Sequence, residues 1–115
     1  MGKRIFILEV GRPAMEYAAQ FGTVDDVLSV HHVSVLEIPE IAAKAFAKIM
    51  ALASGGNEVH LVLSCPQALA FELGQALGLS NAKIVVYQFL HGRYVKVPPL
   101  TREHLFAVRG GGRHE

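Results

Sequence analysis

The sequence predicts one α/β domain: a Rossmann-like, open and mainly parallel sheet of four to five strands, with helices on both faces and a C-terminal β-hairpin. Three observations support this. Short apolar runs rich in Val, Ile and Leu alternate with stretches whose apolar residues recur at helical spacing. A proline stands at the start of each helical stretch, at Pro13, Pro39 and Pro66, where its missing N–H and fixed φ do no harm. A length of 115 residues, 51% of them hydrophobic, suffices for a single core and for strands buried on both faces.

Arg4 to Val10 (RIFILEV) is a nearly continuous apolar run and reads as the first strand; Gly11-Arg12-Pro13 ends it. A helix fits Ala14 to Phe21 and stops at Gly22. Thr23 to Leu28 is a short turn or a single helical turn. Val30 to Ile38 (VHHVSVLEI) is rich in β-branched residues and reads as a second strand, nearer an edge because His31, His32 and Glu37 interrupt it. Pro39 opens the second helix, with Ile41, Ala45, Phe46, Ile49 and Ala53 as its apolar stripe; Gly55-Gly56 ends it. Val59 to Leu63 is the third strand, and Leu69, Leu73, Ala76 and Leu77 form one face of the third helix, closed by Gly78. Ile84 to Phe89 is the fourth strand. His91-Gly92 makes a tight turn into a fifth, antiparallel strand over Arg93 to Val97. Residues 1–108 form the domain, and the Gly-rich stretch 109–115 has nothing apolar to bury and is expected to fray.

Composition narrows the partners. The formal net charge is +1, without the basic excess of a duplex nucleic-acid binder, although a small anionic ligand needs only a few local donors. Cys65 is the only cysteine, so no internal disulfide forms and a reducing, cytoplasmic compartment is expected. The apolar run at Ile5 to Leu8 is cut short by Glu9, too early for a signal peptide or a membrane span, so no membrane partner is expected.

In an open parallel sheet, ligands bind beyond the carboxyl ends of the strands, where the strand order reverses. For an order 2-1-3-4 the two loops at that point are Gly11-Arg12-Pro13 and Ser64-Cys65-Pro66-Gln67. Each leads into a helix whose free N–H groups favour phosphate or carboxylate, while Arg12 adds a planar cation and Ser64 and Gln67 add neutral hydrogen-bonding groups. The plainer reading makes Ser64 a helix cap and Arg12 a solvated surface residue. Cys65 lies near a helix N-terminus, but no arginine follows six positions later and no second cysteine offers a redox pair, which favours an inert thiol. His31 and His32 are adjacent and face opposite ways on a strand, His60 sits in an apolar run as a packed residue, and no spacing fits a metal. His91, beside Arg93 and Tyr94 in the hairpin, belongs to a basic and aromatic cluster suited to a nucleobase.

The segment from Val59 to Leu100 resembles the SAVED domain: a strand ending in a small residue and proline, an Ala- and Leu-rich helix ending near glycine, then strands bearing aromatic residues. The matching positions are Pro66, Ala68, Leu69, Ala70, Leu73, Gly74, Tyr87, Phe89 and Tyr94. SAVED domains are related to CARF domains, and both sense cyclic oligonucleotides in bacterial antiphage systems. A full SAVED domain holds two CARF-like halves and this chain supplies one, so it is similar to small stand-alone ancillary proteins of type III CRISPR loci. Those bind cyclic oligoadenylate as buffers or degrade it as ring nucleases.

The resemblance therefore implies a cyclic oligonucleotide as partner, with no cofactor. A homodimer matches the two-fold symmetry of cyclic tetra-adenylate, with two copies of the Gly11 and Ser64 loops lining the cleft and Tyr87, His91 or Tyr94 touching bases. Three functions stay open: sequestration of the ring; its cleavage without a metal, with Arg12 supplying charge and Ser64 or His91 assisting; and a structural or interaction subunit with no nucleotide ligand.

Overall fold

The computed structural model describes residues 2–111. Strands β1 (Lys3–Val10), β2 (Asp26–Val30), β3 (Glu58–Ser64), β4 (Lys83–Leu90) and β5 (Arg93–Lys96) form one sheet in the order β2-β1-β3-β4-β5. The first four are parallel, and β5 runs back along β4 as the expected hairpin. The order reverses between β1 and β3, which puts their carboxyl ends side by side.

Alternation along β1 divides its side chains between two cores. Phe6, Leu8 and Val10 join Val59 and Leu61 under two helices, α1 (Ile38–Ala53) and α2 (Gln67–Gly78). Ile41, Ala45 and Ile49 of α1 and Leu69 and Leu73 of α2 supply the buried stripes that their spacing predicts. Ile5, Ile7, Val62 and Tyr94 face the other way, beneath Ala14, Tyr17 and Phe21 of the segment that follows β1.

Three elements differ from expectation. The α-helix expected over 14–21 is a 3-10 helix, Met15–Phe21. It must carry the chain back across the sheet in few residues, and a 3-10 helix advances about 2.0 Å per residue against about 1.5 Å for an α-helix. The second strand lies over Asp26–Val30 and not over 30–38. Asp25 fixes its start by bonding Ile5 twice: its amide donates to the Ile5 carbonyl at 2.9 Å, and its carboxylate accepts from the Ile5 amide at 2.7 Å. Beyond Val30 the β-branched run becomes a loop, because Ser34 and Glu37 form a capping box that starts a 3-10 turn, Val35–Glu37, leading into α1.

The third difference is an additional helix, α3 (Arg102–Gly111). It opens on Thr101, whose amide donates to His104 Nδ1 at 3.0 Å while the His104 amide donates to Thr101 Oγ1 at 3.3 Å. The frayed tail expected over 109–115 begins within α3, and residues 112–115 lie outside those described. No helix among the described residues is long and apolar enough to cross a membrane.

Candidate functional site

The site is built by two chain reversals at the carboxyl ends of β1 and β3. After Val10 the chain turns at Gly11, whose φ of +79° is a left-handed conformation that favours glycine, with the His31 carbonyl close beside it. The Gly11 amide donates to the Val30 carbonyl at 2.9 Å, and the Arg12 amide to the Val10 carbonyl at 2.9 Å. This turn aims the Arg12 carbonyl at β3, where the Ser64 hydroxyl donates to it at 2.9 Å. The two predicted loops therefore meet, and one hydrogen bond ties them.

Between them opens a cleft of about 390 Å³. Val10 and Leu63 form its floor, and Arg12 and Pro13 stand on one side with Ser64, Cys65 and Pro66 on the other. Tyr17, Phe89 and Tyr94 make an aromatic wall: Tyr17 and Phe89 lie 5.0 Å apart between ring centroids, Phe89 and Tyr94 5.1 Å, and Tyr17 and Tyr94 5.6 Å. Among the described residues lining the cleft, Arg12 is the one cation and Glu16 the one acid. The guanidinium forms no ion pair with a described residue. The combination is a cationic and hydroxyl-bearing rim against a cluster of tilted and edge-to-face rings, which suits a ligand with both phosphate and planar base.

The electrostatics of the loops differ from a plain anion cradle. The first-turn amides after β1 are already taken: Ala14 N–H donates to Glu9 Oε1 at 2.7 Å and Met15 N–H to the same oxygen at 3.0 Å, while Ser29 Oγ donates to Glu9 Oε2 at 2.8 Å. Glu9 thus replaces the external anion that these amides were expected to hold. Burial pushes its carboxyl up, but the two amides and the hydroxyl together outweigh burial and hold it below the ordinary carboxylate value. At α2 the junction is different, since Pro66 is the N-cap and no side chain caps the first turn.

Burial pushes the Cys65 thiol up to about 11, although the Ala70 amide draws it down, so the sulfur is protonated at neutral pH and is a wall rather than a nucleophile. Burial also raises Tyr94, against the opposing pull of the Ser64 hydroxyl and Arg12.

Of the other expected contacts, Gly11 supplies the turn rather than the wall, and Gln67 is exposed on α2 outside the cleft lining. Tyr87 lies deeper along β4, against Phe21 at 5.2 Å, with its hydroxyl 2.9 Å from Nδ1 of His60. His60 is 3% exposed, and its Nε2 lies 2.8 Å from Glu58, which makes it the packed histidine that the sequence predicts. His91 and Arg93 are exposed at the hairpin turn and do not line the cleft. His31 and His32 are exposed in the loop after β2, off any strand. No group of three or more His, Cys, Asp or Glu among the described residues is placed to hold a metal ion.

Glu9, Tyr17 and Phe89 are the residues that sequence reading passed over as site members. An acid ending a buried apolar strand just before a glycine turn was a signal for Glu9. A smaller recess of about 160 Å³ lies on the far side of Arg12, with Glu9 and Ser29 in its wall.

Three comparisons bear on this geometry. The model of the SMODS-associated and fused to various effectors sensor domain, SAVED, matches residues 23–97, well over half of the chain. The match contains the Ser64 loop, Phe89 and Tyr94 but not Glu9, Arg12 or Tyr17. Among solved structures, the Acinetobacter baumannii Cap4 SAVED/CARF-domain containing receptor is similar in fold. Its structure with the cyclic trinucleotide 2'3'3'-cAAA has a TM-score of 0.72 at 16% identity over 83% of this chain and 24% of that one. Its structure with 3'3'3'-cAAA has a TM-score of 0.64 at 13% identity, over 84% of this chain and 22% of that one. A third structure of the receptor has a TM-score of 0.58 at 19% identity, over 84% of this chain and 23% of that one. This chain spans about a quarter of the receptor's length. No curated protein matches the sequence.

Proposed function

This chain belongs to the SAVED family of sensor domains, and on that footing we propose that its cleft binds a cyclic oligonucleotide and sequesters it as a signal of antiphage defence. The observation that carries the reading is the Ser64–Arg12 hydrogen bond, which brings two strand ends together around an aromatic-walled cleft. Arg12 holds phosphate while Ser64 keeps the two loops joined, and Tyr17, Phe89 and Tyr94 take a base; stacking of a base on an aromatic ring is worth about 1–3 kcal/mol. Pro13, Cys65 and Pro66 shape the walls.

The ligand class is cyclic oligoadenylate, with the ring of four nucleotides held between two chains. A pair related by a two-fold axis presents two Arg12–Ser64 junctions to a ring with the same symmetry. A type III CRISPR setting in the cytoplasm fits a small binder of this kind. Sequestration is favoured over cleavage because Ser64 donates its proton to a carbonyl, Cys65 is held protonated and His91 lies outside the cleft lining.

Titration calorimetry with cyclic tri- and tetra-adenylate tests this, with chromatography of the products. The expected result is binding of an intact tetra-adenylate ring at one ring per two chains. A stabilisation of about 2.7 kcal/mol should accompany a ligand concentration of about a hundred times Kd. Linear products would establish the ring nuclease instead. No heat and no change in Tm with either ring would return the chain to an interaction role.

A further inference from the structure

Resting on the reading of the cleft as a cyclic-oligonucleotide site, we infer that the recess beside β2 is a base subsite. In it Glu9 accepts a hydrogen bond from the 6-amino group of an adenine whose neighbouring phosphate lies against Arg12. The recess measures about 160 Å³ and is walled by Glu9, Ser29 and His31, with Gly11 at its turn. Arg12 and Pro13 line both it and the main cleft, so one ligand can enter both with its phosphate at the shared residue.

The specificity follows from lone pairs. An ionised carboxylate has about four acceptor positions and no donor. Glu9 Oε1 already takes two amides, and Oε2 takes the Ser29 hydroxyl, which leaves one acceptor on Oε2. An acceptor on its own rejects phosphate and carbonyl oxygen and selects an N–H. The Gly11 amide bond to the Val30 carbonyl holds the loop after β2 against the turn, which places His31 in the wall of the recess. His31 is exposed there and supplies a ring for stacking.

The test uses the intact chain and two pairs of probes: cyclic tri- and tetra-adenylate, and the same rings with purine in place of adenine. The purine rings keep the phosphates and the stacking and lose only the amino group. A hydrogen bond to a charged acceptor makes the expected loss of affinity about tenfold to a hundredfold. Glu9→Gln should bring adenine and purine rings to the same affinity, since the amide nitrogen that replaces Oε2 cannot accept. Equal affinity of the native chain for both kinds of ring overturns the subsite while leaving the chain a cyclic-oligonucleotide binder. Failure of every ring to bind overturns the reading of the cleft and the subsite together. Should Glu9→Gln fail to fold, the comparison on the native chain decides.

Discussion

The Ser64 hydroxyl donates to the main-chain carbonyl of Arg12 at 2.9 Å, and no other side-chain hydrogen bond among the described residues joins the loop after β1 to the loop after β3. The contact uses the backbone of Arg12 and leaves its guanidinium free to meet a ligand. The same residue therefore holds the site together with one group and presents charge with another.

Arg12→Ala separates these two roles. The variant keeps its carbonyl, so its unfolding free energy should stay within about half a kcal/mol of the native value, as for an exposed substitution. Affinity for cyclic tetra-adenylate should fall about tenfold to a hundredfold with loss of a charge-assisted contact, and the native chain should show the steeper dependence on salt. Unchanged affinity in calorimetry removes Arg12 from the site.

Leu73→Ala tests the fold rather than the site. Leu73 is 1% exposed, between α2 and the sheet. Its truncation should destabilise by about 2–5 kcal/mol in urea unfolding, from lost burial and the cavity left behind. A near-neutral result would mean that α2 is not seated on β1 and β3 as described.

Reading of the sequence went furthest where burial alone decides the structure. β1 and β3 are apolar runs enclosed within the sheet, and α1 and α2 carry stripes at helical spacing, so pattern and structure agree. β2 is an edge strand paired only with β1, and it begins with Asp26. Its position is fixed by Asp25 bonding Ile5 from a distant part of the chain, which no local pattern records. The neighbouring run with Val33, Val35 and Leu36 has stronger β character, yet Val35 and Leu36 are 80% and 91% exposed. The Ser34–Glu37 capping box was legible there and outweighs propensity.

In the site the contrast is similar. Arg12 and Ser64 were legible because topology alone places the ends of β1 and β3 together. Tyr87 and Phe89 share one face of β4, but only the register against β5, with Phe89 opposite Tyr94, puts Phe89 at the cleft; Tyr87 is held lower by His60. Glu9 was visible only as a break in an apolar run, because its function depends on amides that the next segment folds back to it.

Cys65 offers a chemical check of the cleft wall. With its thiol pushed up from an ordinary 9.0 to about 11, the thiolate fraction near pH 8 is about a hundredfold below that of an ordinary cysteine. Alkylation by iodoacetamide at pH 8 should be slower than for a free thiol by about that factor. A rate equal to or above the free thiol's would show a stabilised thiolate and reopen nucleophilic chemistry at this position.

Glu9 makes stability depend on pH in a defined direction. Its carboxyl is held below the ordinary carboxylate value in the folded state, despite burial, by the Ala14 and Met15 amides and the Ser29 hydroxyl. The folded state therefore binds the proton more weakly than the unfolded chain does. The resulting stability is present in full above the unfolded carboxylate range, near pH 4.5, and is lost as pH falls through the lower folded value. Glu58 is also lowered, chiefly by its bond to His60, so the native chain alone does not isolate Glu9. Comparison with Glu9→Gln does, because the amide keeps an oxygen for the two N–H groups but has nothing to titrate. Thermal unfolding from pH 7 to pH 3 should show the native chain more stable than the variant at neutral pH, with the gap closing below about pH 4.5. A gap that stays constant across that range would mean that the carboxylate charge does not hold the turn, and that Gly11 and the Ser64–Arg12 bond position Arg12 without it.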